Sequence, residues 1–292
     1  MRFLLIFTAL MFAHSQPGSA EPADVEPFKV NLERVSEAFM LSPHDMALSP
    51  DGALLVIADM GNNRVLLLDP EWLTIQGMVG QNELSLPHDV AFDAQGRLLV
   101  ADSGNDRIAI YRLDGKEASM IDEWRGFDGP EGLAVAPGGR VYVTATLENQ
   151  LLCLKDGMIE ARTDSALGAN LDKPHDVEIS PNARGHNVIV TDPGNHRLVV
   201  FDKKLTPQYE ISTWDPPFSE PKYFTQDDQG RLFIADQFNN AIRVFDKNTA
   251  PIATFATQHV KLPEGVLVVG DRIWVSDSEG GRVLLYRLIK TH

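Results

Sequence analysis

Cysteine is almost missing from this chain of 292 residues. Cys153, in QLLCLKDG, stands alone, so no internal disulfide can staple the fold, and the residue reads as a small buried apolar side chain. Long apolar runs are missing too. The longest lies in MRFLLIFTALMFAHSQPGSA at the N-terminus and falls short of the ~20 residues a membrane-spanning helix needs. Positive charge is scarce: 26 Lys and Arg oppose 41 Asp and Glu, for a net charge of −15. Such a surface disfavours nucleic acid and anionic lipid as partners, because both are held by basic patches. The sequence contains no Asn-x-Ser/Thr, no G-x-S-x-G elbow, no P-loop, no His-Glu-x-x-His and no EF-hand loop, and nothing in it calls for an organic cofactor.

What is present begins with that N-terminal run. One arginine, an apolar stretch and the small residues Gly18, Ser19 and Ala20 form the pattern of a secretory signal peptide. The expectation is cleavage after residue 20, a single domain over residues 21–292, and export to the periplasm or medium without a transmembrane segment.

An internal period organises the rest. Pro43, Pro87, Pro130, Pro174, Pro221 and Pro263 head six similar segments, spaced 42 to 47 residues apart. Behind each proline comes an alternating apolar run (MALS, VAFD, LAVA, VEIS, YFTQ, VLVV), and in most a Gly-containing turn follows. A second run ends mostly in Asp (LLVIAD, RLLVAD, VIVTD, RLFIAD, RIWVSD), followed by a turn such as GNNR or GNDR and a third run. Period-two alternation broken by Gly, Asn and Asp, where positive φ costs little, predicts short antiparallel strands joined by hairpins. A unit of this length holds four strands, and one such sheet cannot bury both faces alone. Six around an axis give an all-β, six-bladed β-propeller. The last unit stops after its third run, while EPFKVNLERV (26–35) is a spare strand ahead of the first. Pairing the two closes the ring and protects the edge.

Starts of the form P-x-x-[VL]-A with centres such as VADSGNDRIAIY resemble the NHL repeat over about residues 41–289. The resemblance implies the propeller fold and leaves the activity open, since folds of this type host binding scaffolds and enzymes alike.

The loop into each inner strand and the turn between the second and third strands share one face. The residue after each proline therefore stands nearest the axis: His44, His88, Glu131, His175, Lys222 and Glu264. Every occupant is ionisable. Either the slot accepts any polar residue, or imidazoles and carboxylates gather there to bind a divalent cation. Alternate blades approach the axis at about 120° by six-fold symmetry. His88, His175 and Glu264 are then the expected metal ligands, with His44 as an additional ligand or a proton-transfer group and His44 and Lys222 as the catalytic candidates.

The Pro-His-Asp openings at 43–45, 87–89 and 174–176 also resemble those of the peptidyl-α-hydroxyglycine α-amidating lyases. That resemblance implies zinc on the axis held by His88 and His175, with calcium at Asp89 or Asp176. This chain departs from that family in having Glu264 where a third histidine is expected, Phe238 where a turn tyrosine is expected, and no disulfides.

Other motifs read as structure. Asp59, Asp102, Asp192, Asp236 and Asp277 close five second strands, and Arg64, Arg107, Arg197 and Arg282 follow in four turns. The expectation is that each carboxylate accepts from its own turn's amides and pairs with the arginine. Blade 3 (TATLENQ) and blade 5 (Ala241 in place of arginine) break the pattern and are candidates for turns released for binding. The aromatic loops DEWRGFDGP and STWDPPFSEP suggest that Trp124, Arg125, Trp214 and Phe218 frame the mouth, with Lys222 and Tyr223 just inside and Glu131 of the axial ring as a further ligand-binding residue. Six-bladed lactonases and related calcium hydrolases share the architecture, but their acidic and amide axial ligands differ from three histidines. The sequence thus predicts a small molecule, peptide or protein bound at the mouth, with a zinc-dependent lyase as the alternative.

Overall fold

The computed structural model describes residues 28–182, 185–213 and 215–290; residues 1–20, expected to be a signal peptide, and Trp214 lie outside them. Among the described residues there are six four-stranded antiparallel sheets and one short hairpin, Ser165–Ala166 with Ala169–Asn170. Blade 1 runs from inner to outer strand as Pro43–Leu48, Leu55–Asp59, Arg64–Leu68 and Ile75–Val79. The inner strands of the other blades are Pro87–Phe92, Pro130–Val135, Val177–Asn182, Pro221–Gln226 and Pro263–Val269. The outer strand of blade 6 is Phe28–Val35, which pairs antiparallel with Arg282–Lys290 from Phe28 opposite Lys290 to Val35 opposite Leu284. The ring is therefore closed by the N-terminal strand.

Burial follows position in the blade. The second strands of blades 1, 2 and 5 are buried at every residue, whereas Phe28–Val35 on the outside alternates half-buried with exposed. The apolar residues collect in six clusters, one between each pair of adjacent blades. Trp274 fills the junction of blades 6 and 1, where its indole N–H donates to the Pro70 carbonyl at 2.8 Å. Each sheet thus buries its faces against its neighbours, as strands that cannot form a core alone require.

The repeated aspartates are fully buried and tie each turn to the loop entering its own blade. Asp59 Oδ1 accepts from the Leu41 amide at 2.8 Å, and Asp102 from the Ser85 amide at 2.7 Å; Asp192, Asp236 and Asp277 do the same with Asp172, Ser219 and Lys261. The backbone amide each accepts from is thus that of the incoming loop, and among these five only Asp277 also takes the expected one from its own turn, Gly280, at 3.3 Å; the own turn otherwise contributes its Asn and Arg side chains. Arg64, Arg107, Arg197 and Arg282 pair with them through Nε at 2.7–2.8 Å. Blade 5 is not released: Arg243, two residues beyond Ala241, brings its guanidinium 3.3 Å from Asp236. A second latch runs between blades, where Asn63, Asp106, Asn149 and Asn240, all left-handed, accept the amides of Leu86, Gly129, Lys173 and Leu262 in the next blade.

Candidate functional site

In the first three residues of an inner strand, successive side chains take different directions, which answers why Pro-His-Asp recurs. The imidazoles gather on the axis: the His44 ring centre lies 4.7 Å from that of His88 and 6.3 Å from that of His175, and His88 and His175 are 6.1 Å apart. The aspartates turn toward the adjacent inner strand. Asp89 Oδ2 accepts from the Leu133 amide, and Asp176 Oδ2 from the Phe224 amide at 2.9 Å. In blades 3 and 6 the corresponding residue is Gly132 or Gly265. A Cβ there would stand 2.5 Å from the His175 carbonyl oxygen or 2.6 Å from that of His44, so the close approach of the inner strands excludes a side chain.

The six residues after the prolines do form an axial tier, though not with the expected partners. The ligand atoms of His44, His175 and Glu264 all lie within 4.8 Å of one another, and all three residues are at least 95% buried. This is a different triad from the alternate-blade set. His88 stands outside this set: like His44 Nδ1, which meets the Ser42 carbonyl at 3.0 Å, its Nδ1 meets the carbonyl two residues before it, Leu86, at 2.8 Å, but it also lies 2.8 Å from Ser103 Oγ. Its Nε2 faces Glu131 Oε1 at 3.9 Å. Glu131 also reaches His175 Nε2, through Oε2, at 3.4 Å. Lys222 Nζ lies 3.5 Å from Glu220.

Burial sets the electrostatics of the tier. It pulls the His44 and His88 imidazoles down to about 4 and His175 well below its ordinary value, so all three are neutral at pH 7. It raises Glu131 and pushes Glu264 up to about 7. Glu264 Oε1 accepts from Gln237 Nε2, while Glu264 Oε2 and His175 Nδ1 have no hydrogen-bond partner. Two neutral imidazoles and a carboxylate with open lone pairs, close enough for one ion to reach all three, fit the donor chemistry of a divalent cation.

Tyr223 is fully buried beneath this tier, its hydroxyl 3.2 Å from the carbonyls of His88 and Glu131 and its ring 4.8 Å from that of His175. Below lies a second tier, Asp45, Asp89, Asp176 and Glu178, at a funnel that opens on the opposite face. Burial raises all four carboxyls, Asp89 to about 7 and Glu178 to about 8, and mutual repulsion adds to the rise at Asp45, Asp176 and Glu178. Asp45 and Glu178 went unnoticed in the sequence. For Asp45 the third residue of Pro-His-Asp was the available signal.

The aromatic loops are placed differently from expectation. Trp124 packs between blades 2 and 3, where its indole closes over Gly157. It lines a groove with Asp93, Gly138 and Lys155 at the end of the blades away from the tier. Arg125 pairs with Glu123 at 2.7 Å and donates to the Asn105 carbonyl. Phe218 is core, against Phe245.

The family model described as "Lactonase, 7-bladed beta-propeller" matches residues 68–270, more than half of the chain. NHL repeat-containing protein 3 of Mus musculus and of Homo sapiens are each 28% identical, over 113 and 115 residues, covering 36% of this chain and 33% of each relative. The match thus spans about a third of those relatives' length. Among solved structures, a gluconolactonase from Xanthomonas campestris superposes with TM-score 0.69 at 20% identity, over 94% of this chain and 99% of that one. A virginiamycin B lyase from Staphylococcus aureus with quinupristin gives 0.65 at 12%, over 90% and 100%. An auxiliary nutrient binding protein from Bacteroides thetaiotaomicron gives 0.65 at 14%, over 92% and 79%. At these identities the likeness is one of fold. The NHL-type reading of the repeats is borne out, and the family model that matches is a lactonase family described as seven-bladed.

Proposed function

On the premise that the chain belongs to the lactonase 7-bladed β-propeller family, although its own ring has six blades, we propose that the axial tier binds a divalent metal. Through that metal it takes up a small, oxygen-bearing ligand. The observation that carries this reading is the convergence of His44, His175 and Glu264, buried and within 4.8 Å, with His175 Nδ1 and Glu264 Oε2 unpartnered. Buried polar atoms without partners are costly unless something supplies the missing contact. Zinc suits two imidazoles and a carboxylate, whereas calcium prefers an all-oxygen set such as the lower tier. Bound metal would supply Lewis acidity toward a carbonyl or hydroxyl oxygen.

A second reading makes the site catalytic, and it is favoured by Glu131 standing beside both His88 and His175. A carboxylate in that position, raised by burial, is suited to take a proton from a ligand or from water near the metal. The matching chemistry is opening of a cyclic ester, in keeping with the family's description, or a zinc-dependent elimination of the α-amidating lyase kind. His88 would orient Glu131, and Lys222 would steady a developing anion. Export to the periplasm or medium remains part of the proposal.

The test is elemental analysis and thermal unfolding of chelator-free protein. One equivalent of zinc, lost in His44→Ala and His175→Ala but kept in His88→Ala, supports the assignment. Equal zinc content in all three variants, or none in the wild type, removes it.

A further inference from the structure

The residue that opens the turn between second and third strands differs from blade to blade: Met60, Ser103, Thr146, Pro193, Gln237 and Ser278. Where it carries a side-chain donor, it reaches the start of the next blade. Ser103 Oγ donates to the Pro130 carbonyl and Thr146 Oγ1 to the Pro174 carbonyl at 2.6 Å, while Ser278 Oγ meets Ser42 Oγ at 2.9 Å. These short hydroxyls stop at the proline or at the residue before it. Gln237 is longer, and its amide passes Pro263 to the side chain that follows: Nε2 donates to Glu264 Oε1.

That bond divides the Glu264 carboxylate. Gln237 and Glu264 are both more than nine-tenths buried, and Oε1 is engaged while Oε2, like His175 Nδ1, has no partner. A contact made for stability alone would not leave a bare buried oxygen beside the satisfied one, because each unpaired acceptor is costly. Blade 6 holds the carboxylate from the other side. Gly265 lets its inner strand press against the His44 carbonyl, where a Cβ would stand at 2.6 Å, and the ligand atoms of Glu264, His44 and His175 come within 4.8 Å of one another. One oxygen fixed by an amide and the other left to offer is how an outer-shell partner aims a ligating carboxylate.

We propose that Gln237 is the positioning residue that sets the metal preference of the tier: by taking Glu264 Oε1 it leaves a single carboxylate oxygen, Oε2, to stand with the imidazoles of His44 and His175. Three such donors suit a four-coordinate ion with affinity for imidazole, which is zinc, and leave one position for a ligand. Ions of higher coordination number that favour carboxylate oxygens, such as manganese and calcium, gain from the second oxygen, and Gln237 denies it to them. The assignment rests on the reading of the tier as a metal site and deepens it by naming what selects the ion. It also accounts for a glutamine in a slot that elsewhere holds a short hydroxyl or no side-chain donor.

The experiment compares zinc and manganese binding by the wild type, Gln237→Met and, as a control for the turn contacts, Ser278→Ala. Manganese is followed by the paramagnetic resonance of the free ion, and zinc by competition with a chromogenic chelator. The ratio of zinc to manganese affinity should fall about ten- to hundredfold in Gln237→Met, the range that loss of an outer-shell partner produces. It should hold in Ser278→Ala, which breaks a contact between blades without touching Glu264. A ratio unchanged in Gln237→Met, or lowered equally in Ser278→Ala, overturns the role of Gln237. Should Gln237→Met not fold, the crystal structure of the zinc-loaded wild type decides: zinc on Oε2 with Gln237 still on Oε1 supports the assignment, and zinc on both oxygens overturns it. Failure of the tier reading looks different. The wild type then binds no zinc, or binds it undiminished in His44→Ala and His175→Ala, and the selectivity falls with the site.

Discussion

Glu131 Oε2 lies 3.4 Å from His175 Nε2, and its other oxygen lies 3.9 Å from His88 Nε2, so one carboxylate spans two imidazoles contributed by blades on either side of its own. In the catalytic reading, Glu131→Gln keeps the shape and removes the base. Turnover of a responsive ester or hydroxyglycine substrate should fall 10²–10⁴-fold with zinc content unchanged. Loss of zinc in parallel with activity would make Glu131 a ligand instead.

Metal affinity should depend on pH through Glu264. Its carboxyl titrates near 7 in the metal-free protein, so below that pH an ion must displace its proton. Zinc affinity should weaken by about tenfold per pH unit below 7 and level off above it. The two imidazoles, His44 brought down to about 4 and His175 held well below its ordinary value by burial, add little to this slope. Competition with a chromogenic chelator reads the profile, which Glu264→Gln should flatten.

The lower carboxyl tier makes a prediction of opposite sense. Asp89 and Glu178 keep their protons to about 7 and 8, well above their unfolded values. Between about pH 4 and 8 the folded state binds more protons than the unfolded one, so stability is full at the acid end and is lost as pH rises. In chelator the urea midpoint should drop from pH 5 to pH 8, by free energy on the order of 2–4 kcal/mol. Asp89→Asn should reduce that drop. A midpoint independent of pH contradicts the tier's protonated state.

Asp102 carries a structural load. It bonds the Ser85 amide, Asn105 and Arg107, with Arg107 itself buried. Asp102→Ala leaves the Ser85 amide and Arg107 Nε unpaired, although Arg107 keeps Glu123 and the Glu83 carbonyl, and should cost about 1–3 kcal/mol in urea unfolding. Arg243→Ala should weaken blade 5 in the same way, since Arg243 replaces the missing turn arginine at Asp236. A neutral Arg243 variant would show that the substitution of Ala241 is uncompensated.

The period of prolines, alternation and Asp-Gly-Asn turns made the ring legible in the sequence, because each strand's pattern is local. The membership of the axial tier was legible for the same reason: a residue following the proline has its position fixed by the repeat. Which three of the six converge was not legible. It depends on Ser103, which meets His88 from the turn of its own blade, on Glu131, which stands between His88 and His175, and on Gln237, which holds Glu264, contacts made across strands and blades. Trp124 misled because aromatic content marks a loop without saying toward which side of the blade the ring turns; the gap over Gly157 decides it. Arg243 went unrecognised because it sits two residues away from the slot whose role it fills.

X-ray absorption at the zinc edge of zinc-loaded protein probes the axial tier most directly. The account predicts a low-coordinate site with two imidazole ligands and one carboxylate, and loss of that imidazole scattering in His44→Ala and in His175→Ala, which no longer retain zinc there. A shell of oxygen ligands alone, or one unaltered by either substitution, would contradict it.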